Sequence, residues 1–148
     1  MDAIELLKKD HAGAKEAMEE ILKGSGTPKK ELFAALKREL EAHDHIEETI
    51  FYPAVKSNPK TAALPAADKK AHEVVEAALA HLALLPVTDA TWDAGFKSMQ
   101  EKLLAHVKDE ETNVFIKIRD VLSANELAEL GHKIVLEKER LLKAVPRA

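Results

Sequence analysis

The chain has 148 residues, a formal net charge of -4 and no cysteine, which excludes disulfides, thiolate metal sites and cysteine nucleophiles. Acidic and basic residues are interspersed, so no basic surface recommends a nucleic acid as partner. Asp2, Glu5, Lys8, Lys9 and Asp10 break up any apolar leader at the start, and no apolar run approaches the ~20 residues that span a bilayer. The expectation is a cytoplasmic protein, residues 1–148 forming one domain with a substantial core. Abundant Ala, Leu, Glu and Lys with little Gly favours helix throughout.

Helix one is expected over 3–22, where Ile4, Leu7, His11, Ala14, Met18 and Leu22 form one stripe. Gly24-Ser25-Gly26 ends it, and Thr27 followed by Pro28 opens helix two. That helix runs from about 28 to 56, its stripe formed by Leu32, Leu36, Leu40, His43, Glu47, Ile50 and Ala54, with Phe33 and Phe51 on the flanks. Helix three spans about 62–84 and shows Asp68, His72, Val75, Leu79 and Leu82 on one face, with Glu76 one turn beyond His72. Helix four is capped by Thr88, Asp89 or Thr91 and continues to 121 through Phe96, Met99, Leu103, His106, Glu110 and Val114. Ser123-Ala124-Asn125-Glu126 reads as a capping box that starts a last helix over about 124–143. Loops this short join antiparallel neighbours, so the reading is all-α: an up-down-up-down four-helix bundle over 3–121 with a short C-terminal helix added.

His43-xxx-Glu47 recurs as His106-xxx-Glu110, each pair one turn apart on an inward face and each followed by Glu and Thr. His11, His43, His72 and His106 lie 13 to 15 residues from their adjoining turns. At a rise of about 1.5 Å per residue all four reach one level, roughly 20 Å from the loops. One inward histidine per helix at matched height points to a metal site, because buried ionisable groups need partners or an ion. The candidate ligands are His11, His43, Glu47, His72, His106 and Glu110, with Glu76 as a seventh. A tetrahedral ion would use four donors. Six or seven N and O donors suit two octahedral first-row ions; the imidazole majority favours iron, with manganese, cobalt or zinc as substitutes. His45, His81 and His132 fall off this face or off this level; Glu48 and Glu111 face solvent or support a ligand, and Tyr52 either supplies a hydroxyl near the centre or is a packed core aromatic.

This pattern resembles the hemerythrin-like HHE cation-binding domain: His on helix one, His-xxx-Glu-Glu before Phe-Tyr-Pro on helix two, His on helix three and His-xxx-Glu-Glu on helix four. Leu122 to Leu127 is similar to the family's start of its last helix. The resemblance covers nearly the whole chain. It implies two iron ions with an oxo or hydroxo bridge, Glu47 and Glu110 bridging and the four histidines terminal. It departs from oxygen-carrying members on helix three, where His72-xxx-Glu76 stands in place of a His-xxx-His pair. The functional expectation is a non-haem di-iron protein that binds or senses dioxygen, or another small diatomic ligand, or buffers iron. The alternatives are a di-iron enzyme acting on peroxide or nitric oxide, and a helical interaction module with a structural metal. The sequence leaves the oligomeric state open.

Overall fold

Helix α1 (Ala3–Lys23) starts at a reciprocal cap: Asp2 accepts a hydrogen bond from the Glu5 N–H at 2.9 Å, and the Glu5 carboxylate accepts from the Asp2 N–H at 3.1 Å. In this computed structural model, which describes residues 1–143, the chain continues through α2 (Gly26–Ile46), α3 (Leu64–Ala83), α4 (Trp92–Asp109), α5 (Phe115–Val121) and α6 (Ala124–Lys143). Helix α2 begins two residues before the expected Pro28. Ser25 sits at its cap, and Gly26 takes a φ of 62°, a left-handed conformation that glycine adopts without steric cost.

Helices α1 and α2 pack together, as do α3 and α4, and α2 meets α3 while α1 meets α4, closing a four-helix bundle. The all-α expectation with an extra C-terminal helix is met. Helix α6 lies over α1 and α2. Its start carries the expected capping box, Ser123 and Glu126 exchanging side-chain to backbone bonds of 3.0 and 3.1 Å. Gly131 lets α6 touch the start of α1: a Cβ there would lie 2.7 Å from the Met1 carbonyl oxygen. No helix among the described residues is long and apolar enough to cross a membrane.

Two interruptions place the site. Where α2 and α4 were expected to run on unbroken, each passes into one wide turn, Glu47–Phe51 and Glu110–Val114. The Tyr52 N–H bonds to the Glu47 carbonyl, and the Phe115 N–H to the Glu110 carbonyl, both five residues back. Such a π turn inserts one residue, so every later side chain moves round the helix relative to a 3.6 period. The consequence is visible in the core. Beyond Glu47 the inward residues are Phe51, Tyr52 and Val55, while the expected Ala54 is exposed and Ile50 only half-buried.

The apolar interior is divided in two. One cluster gathers Ile4, Leu7, Ile46, Phe51, Tyr52, Val55, Phe115 and Ile118 at the end of the bundle that holds the α2–α3 connection. The other gathers Met18, Ile21, Phe33, Leu36, Leu79, Trp92 and Phe96 at the opposite end. Between them lies a polar layer, with His11, His43, Glu47, Asp68, His72 and Glu110 all buried.

Candidate metal centre

The four histidines meet as their spacing demands. The His11 and His43 rings are 5.0 Å apart and the His72 and His106 rings 5.5 Å. Potential ligand atoms fall into two groups, each within 4.8 Å: His11, His43, Glu47 and Glu110 in one, and Glu47, Asp68, His72 and His106 in the other. Glu47 belongs to both. Its carboxylate is fully buried, with Oε1 3.3 Å from His43 Nε2 and 2.9 Å from His72 Nε2. Glu110 Oε1 lies 3.2 Å from His11 Nε2 and 3.5 Å from His106 Nε2, so it too faces both sides.

Helix three contributes a different carboxylate from the one expected. Glu76 stands outside both groups, half-buried, beside Asp44, Glu48 and Lys37 at the surface. Asp68 is buried instead, its Oδ2 3.2 Å from His72 Nε2 and its Oδ1 3.0 Å from His106 Nε2. Antiparallel geometry explains the choice. Glu47 is one turn nearer the α2–α3 connection than His43; on α3, which runs the other way, one turn nearer that connection from His72 is residue 68. The site is therefore layered, with Glu47, Asp68 and Glu110 towards the Phe51–Phe115 end and the imidazoles towards the Leu36–Trp92 end. Asp68→Asn is expected to weaken metal binding by more than the roughly 10–100-fold typical of losing a group that only orients a ligand, while Glu76→Gln leaves it within a few-fold. Competition with a chelator measures both; equal effects would contradict this assignment.

Carboxylates behind the rings fix which nitrogen faces inward. His11 Nδ1 lies 2.7 Å from Glu111 Oε2, His43 Nδ1 3.0 Å from Asp10 Oδ2, and His72 Nδ1 2.9 Å from Glu48 Oε2. An ionised carboxylate only accepts, so each Nδ1 carries the hydrogen and each Nε2 turns its lone pair to the centre once the ring is neutral. The doubled glutamates thus divide their work: Glu47 and Glu110 point inward, while Glu48 and Glu111 each hold the histidine of a neighbouring helix. Sequence reasoning left Glu48 and Glu111 open and did not find Asp10. Tyr52 donates to Glu110 Oε2 at 2.7 Å within the interior. His45 is exposed near Glu137, and His81 and His132 are exposed.

Without an ion, this much buried charge must be balanced by protons. Burial alone would push the His72 imidazole down, but the adjacent carboxylates of Asp68, Glu47 and Asp44 carry it up to about 12. Against the same burial, the Glu47 charge and the Asp10 bond hold His43 well above its ordinary value, and Asp68 and Glu110 raise His106. Burial raises Glu110, reinforced by the neighbouring Glu47 charge. For Glu47 burial works upward too, but His43 prevails and its carboxyl is lowered. Burial also pushes Asp44 up to about 8.

Among the described residues, six buried side-chain atoms nevertheless lack a hydrogen-bond partner: His11 Nε2, Glu47 Oε2, both Asp68 oxygens, His106 Nε2 and Glu110 Oε1. All six are carried by residues of the two ligand groups. Several lie within about 3.5 Å of each other without hydrogen-bond geometry, the arrangement expected of donors aimed at a common cation rather than at one another. The residues fit a pair of metal ions.

A helical bundle with a buried layer of imidazoles and shared carboxylates defines a di-metal-binding class. A profile of the hemerythrin HHE cation binding domain matches residues 2–118, and the chain belongs to that family. Its fold is similar to that of a crystal structure of a hemerythrin HHE cation binding domain-containing protein from Mycobacterium kansasii, with a TM-score of 0.87 and 27% identity. The match covers 97% of this chain and 89% of that one. Among curated proteins none matches the chain.

Proposed function

We propose that this chain holds two iron ions and binds dioxygen, or a diatomic ligand like it, at that centre. The observation that carries the reading is Glu47, fully buried and common to two ligand groups in which atoms of His11, Asp68, His106 and Glu110 are also buried without a hydrogen-bond partner. Four imidazoles and three carboxylates without thiolate form an N/O donor set suited to iron, with manganese, cobalt or zinc able to use the same atoms. Iron so held would supply electrons in single steps and a coordination position for an outside ligand.

The chain's own residues do the rest. His11 and His43 would hold one ion, His72, His106 and Asp68 the other, with Glu47 and Glu110 spanning both. On that count the His11–His43 side is poorer by one donor, so an outside ligand belongs there. Glu111, Asp10 and Glu48 keep the Nε2 atoms inward. Phe115 stacks on His11 at 6.0 Å, and Phe51 packs edge-on against Phe115 and Tyr52, excluding water from the carboxylate side. Anaerobic loading with ferrous iron followed by elemental analysis and exposure to oxygen tests the reading. Two ions per chain and an oxygen-dependent absorbance change are expected; protein that retains iron but shows no such change would reject dioxygen binding.

Tyr52 favours a second reading, disproportionation of peroxide to water and dioxygen at the same centre, which needs no outside reductant. Its hydroxyl is the interior proton donor that touches a proposed bridging carboxylate. In that case Tyr52→Phe keeps both ions but lowers peroxide turnover by about 100-fold or more, the usual scale for a positioned proton donor. Unchanged turnover would remove Tyr52 from the reaction.

A further inference from the structure

We infer that the seam between α1 and α2 is the route by which a small uncharged ligand reaches the His11–His43 side of the centre. This rests on the reading of that cluster as a metal centre. A cavity of about 560 Å³ lies between α1 and α2, bounded by α4 within and by the end of α6 above. Its walls include Ala14, Ala17, Leu36, Leu40, Leu103 and Val107, and its floor is formed by His11, His43, His72, His106 and Glu110. It therefore reaches the imidazoles of both groups, and the donor count favours the His11–His43 side. The volume is many times the roughly 30 Å³ share of one water molecule, so it has room for a diatomic.

Three features make this a route rather than a packing defect. The first is residue size: Gly13, Ala14 and Ala17 on α1 face Ala35 on α2, so side chains too short to close the gap line both banks. A Cβ added at Gly13 would meet nothing within 4 Å.

The second is direction. The carboxylate side of the centre is sealed by Phe51, Tyr52, Val55, Phe115 and Ile118, each no more than 2% exposed. The cavity instead opens on the imidazole side, where the donor count leaves room for an outside ligand. The surface depressions at Glu48–Glu76 and at Glu111–Thr112 stop at the residues behind the rings and include none of the inward ligands.

The third is charge. Lys9, Asp10, Glu39, Lys138 and Glu139 surround the opening, three acids against two bases, and the walls behind them are mostly aliphatic. An anion meets a net negative rim and then loses its hydration, whereas a neutral diatomic meets neither barrier. Lys138 reaches from α6 to Asp10 on α1 and lies 3.9 Å from Glu39 on α2, so the same lysine straddles the seam. Asp10 in turn holds His43.

The test narrows the seam with Ala14→Phe, at a half-buried position facing the cavity, and uses Ala34→Phe, at an exposed position on α2, as control. Crystals of metal-free protein are pressurised with xenon, and iron-loaded, reduced protein is mixed with nitric oxide in a stopped-flow instrument. Xenon is expected between Ala14, Ala17, Leu36 and Leu40, and is expected to be lost in Ala14→Phe. The association rate of nitric oxide should fall by about tenfold or more in Ala14→Phe at unchanged iron content, and hold in Ala34→Phe. Absence of xenon from the seam of the unaltered protein, or equal nitric oxide rates in the two variants, overturns the route. A chain that takes up xenon but retains no iron would instead defeat the reading of the metal centre, because the xenon result does not depend on metal.

Discussion

Glu47→Gln is expected to cost the chain both ions, where His43→Ala removes a donor from one side only. The two side chains differ in what depends on them. Glu47 Oε1 stands within 3.3 Å of an imidazole from each ligand group, and its other oxygen has no partner. Gln keeps the volume and one acceptor oxygen but brings no charge and turns an amide hydrogen towards the centre. Two dications would then share less anionic charge in a site shielded from water, where each uncompensated charge is costly. After loading and gel filtration, Glu47→Gln should retain fewer than one ion per chain, against two for the unaltered protein. Two ions retained in Glu47→Gln would show that the two groups do not share this carboxylate.

Loading itself should stabilise the fold strongly, and more so at higher pH. At free metal about 1,000-fold above Kd, one site adds about 4 kcal/mol. A chain of this size gains about 2–4 °C per kcal/mol, so Tm rises by on the order of 10 °C. The pH dependence follows from the protons held without metal. His43, His72 and His106 bind them more tightly folded than unfolded. Their contribution to the metal-free fold is therefore full below about pH 6.5. It is lost as pH rises through their folded values, about 12 for His72. Asp44, raised to about 8, acts in the same direction at lower pH, its contribution fading from its unfolded value up to about 8. Glu47, whose carboxyl is lowered, acts in the opposite sense and contributes above its unfolded value. Ions need the imidazoles neutral, so their binding strengthens over the window in which the protonated histidines cease to help. Melting curves at about pH 6 and about pH 8 should show a larger metal-dependent rise in Tm at the higher pH. An equal or smaller rise there would contradict the exchange of protons for metal.

Much of this was legible in the sequence because it depends on counting. Helical rise and short loops bring His11, His43, His72 and His106 to one height, and the structure places them there. What counting at a fixed period could not supply was the change of period. The π turns at Glu47 and Glu110 displace the later stripe by one residue, which is why Phe51 rather than Ile50 enters the core. The sequence does carry a trace of them in the repeated Glu-Glu-Thr, since two adjacent acids can serve one buried layer if the helix widens there. Asp68 was missed for another reason. It and Glu76 are each one turn from His72 on one face, and only the direction of α3 relative to α2 separates them. Asp10 was masked by its exposed neighbours Lys8 and Lys9; its role emerges once α6 brings Lys138 beside it.

The central claim is that one buried layer holds two ions across Glu47. Anomalous diffraction at the iron absorption edge from crystals of loaded protein tests it most directly. The account predicts two peaks per chain, one beside His11 and His43 and the other beside His72, His106 and Asp68, with Glu47 reaching both. A single peak, or one coordinated by Glu76 with Asp68 turned away, would contradict it.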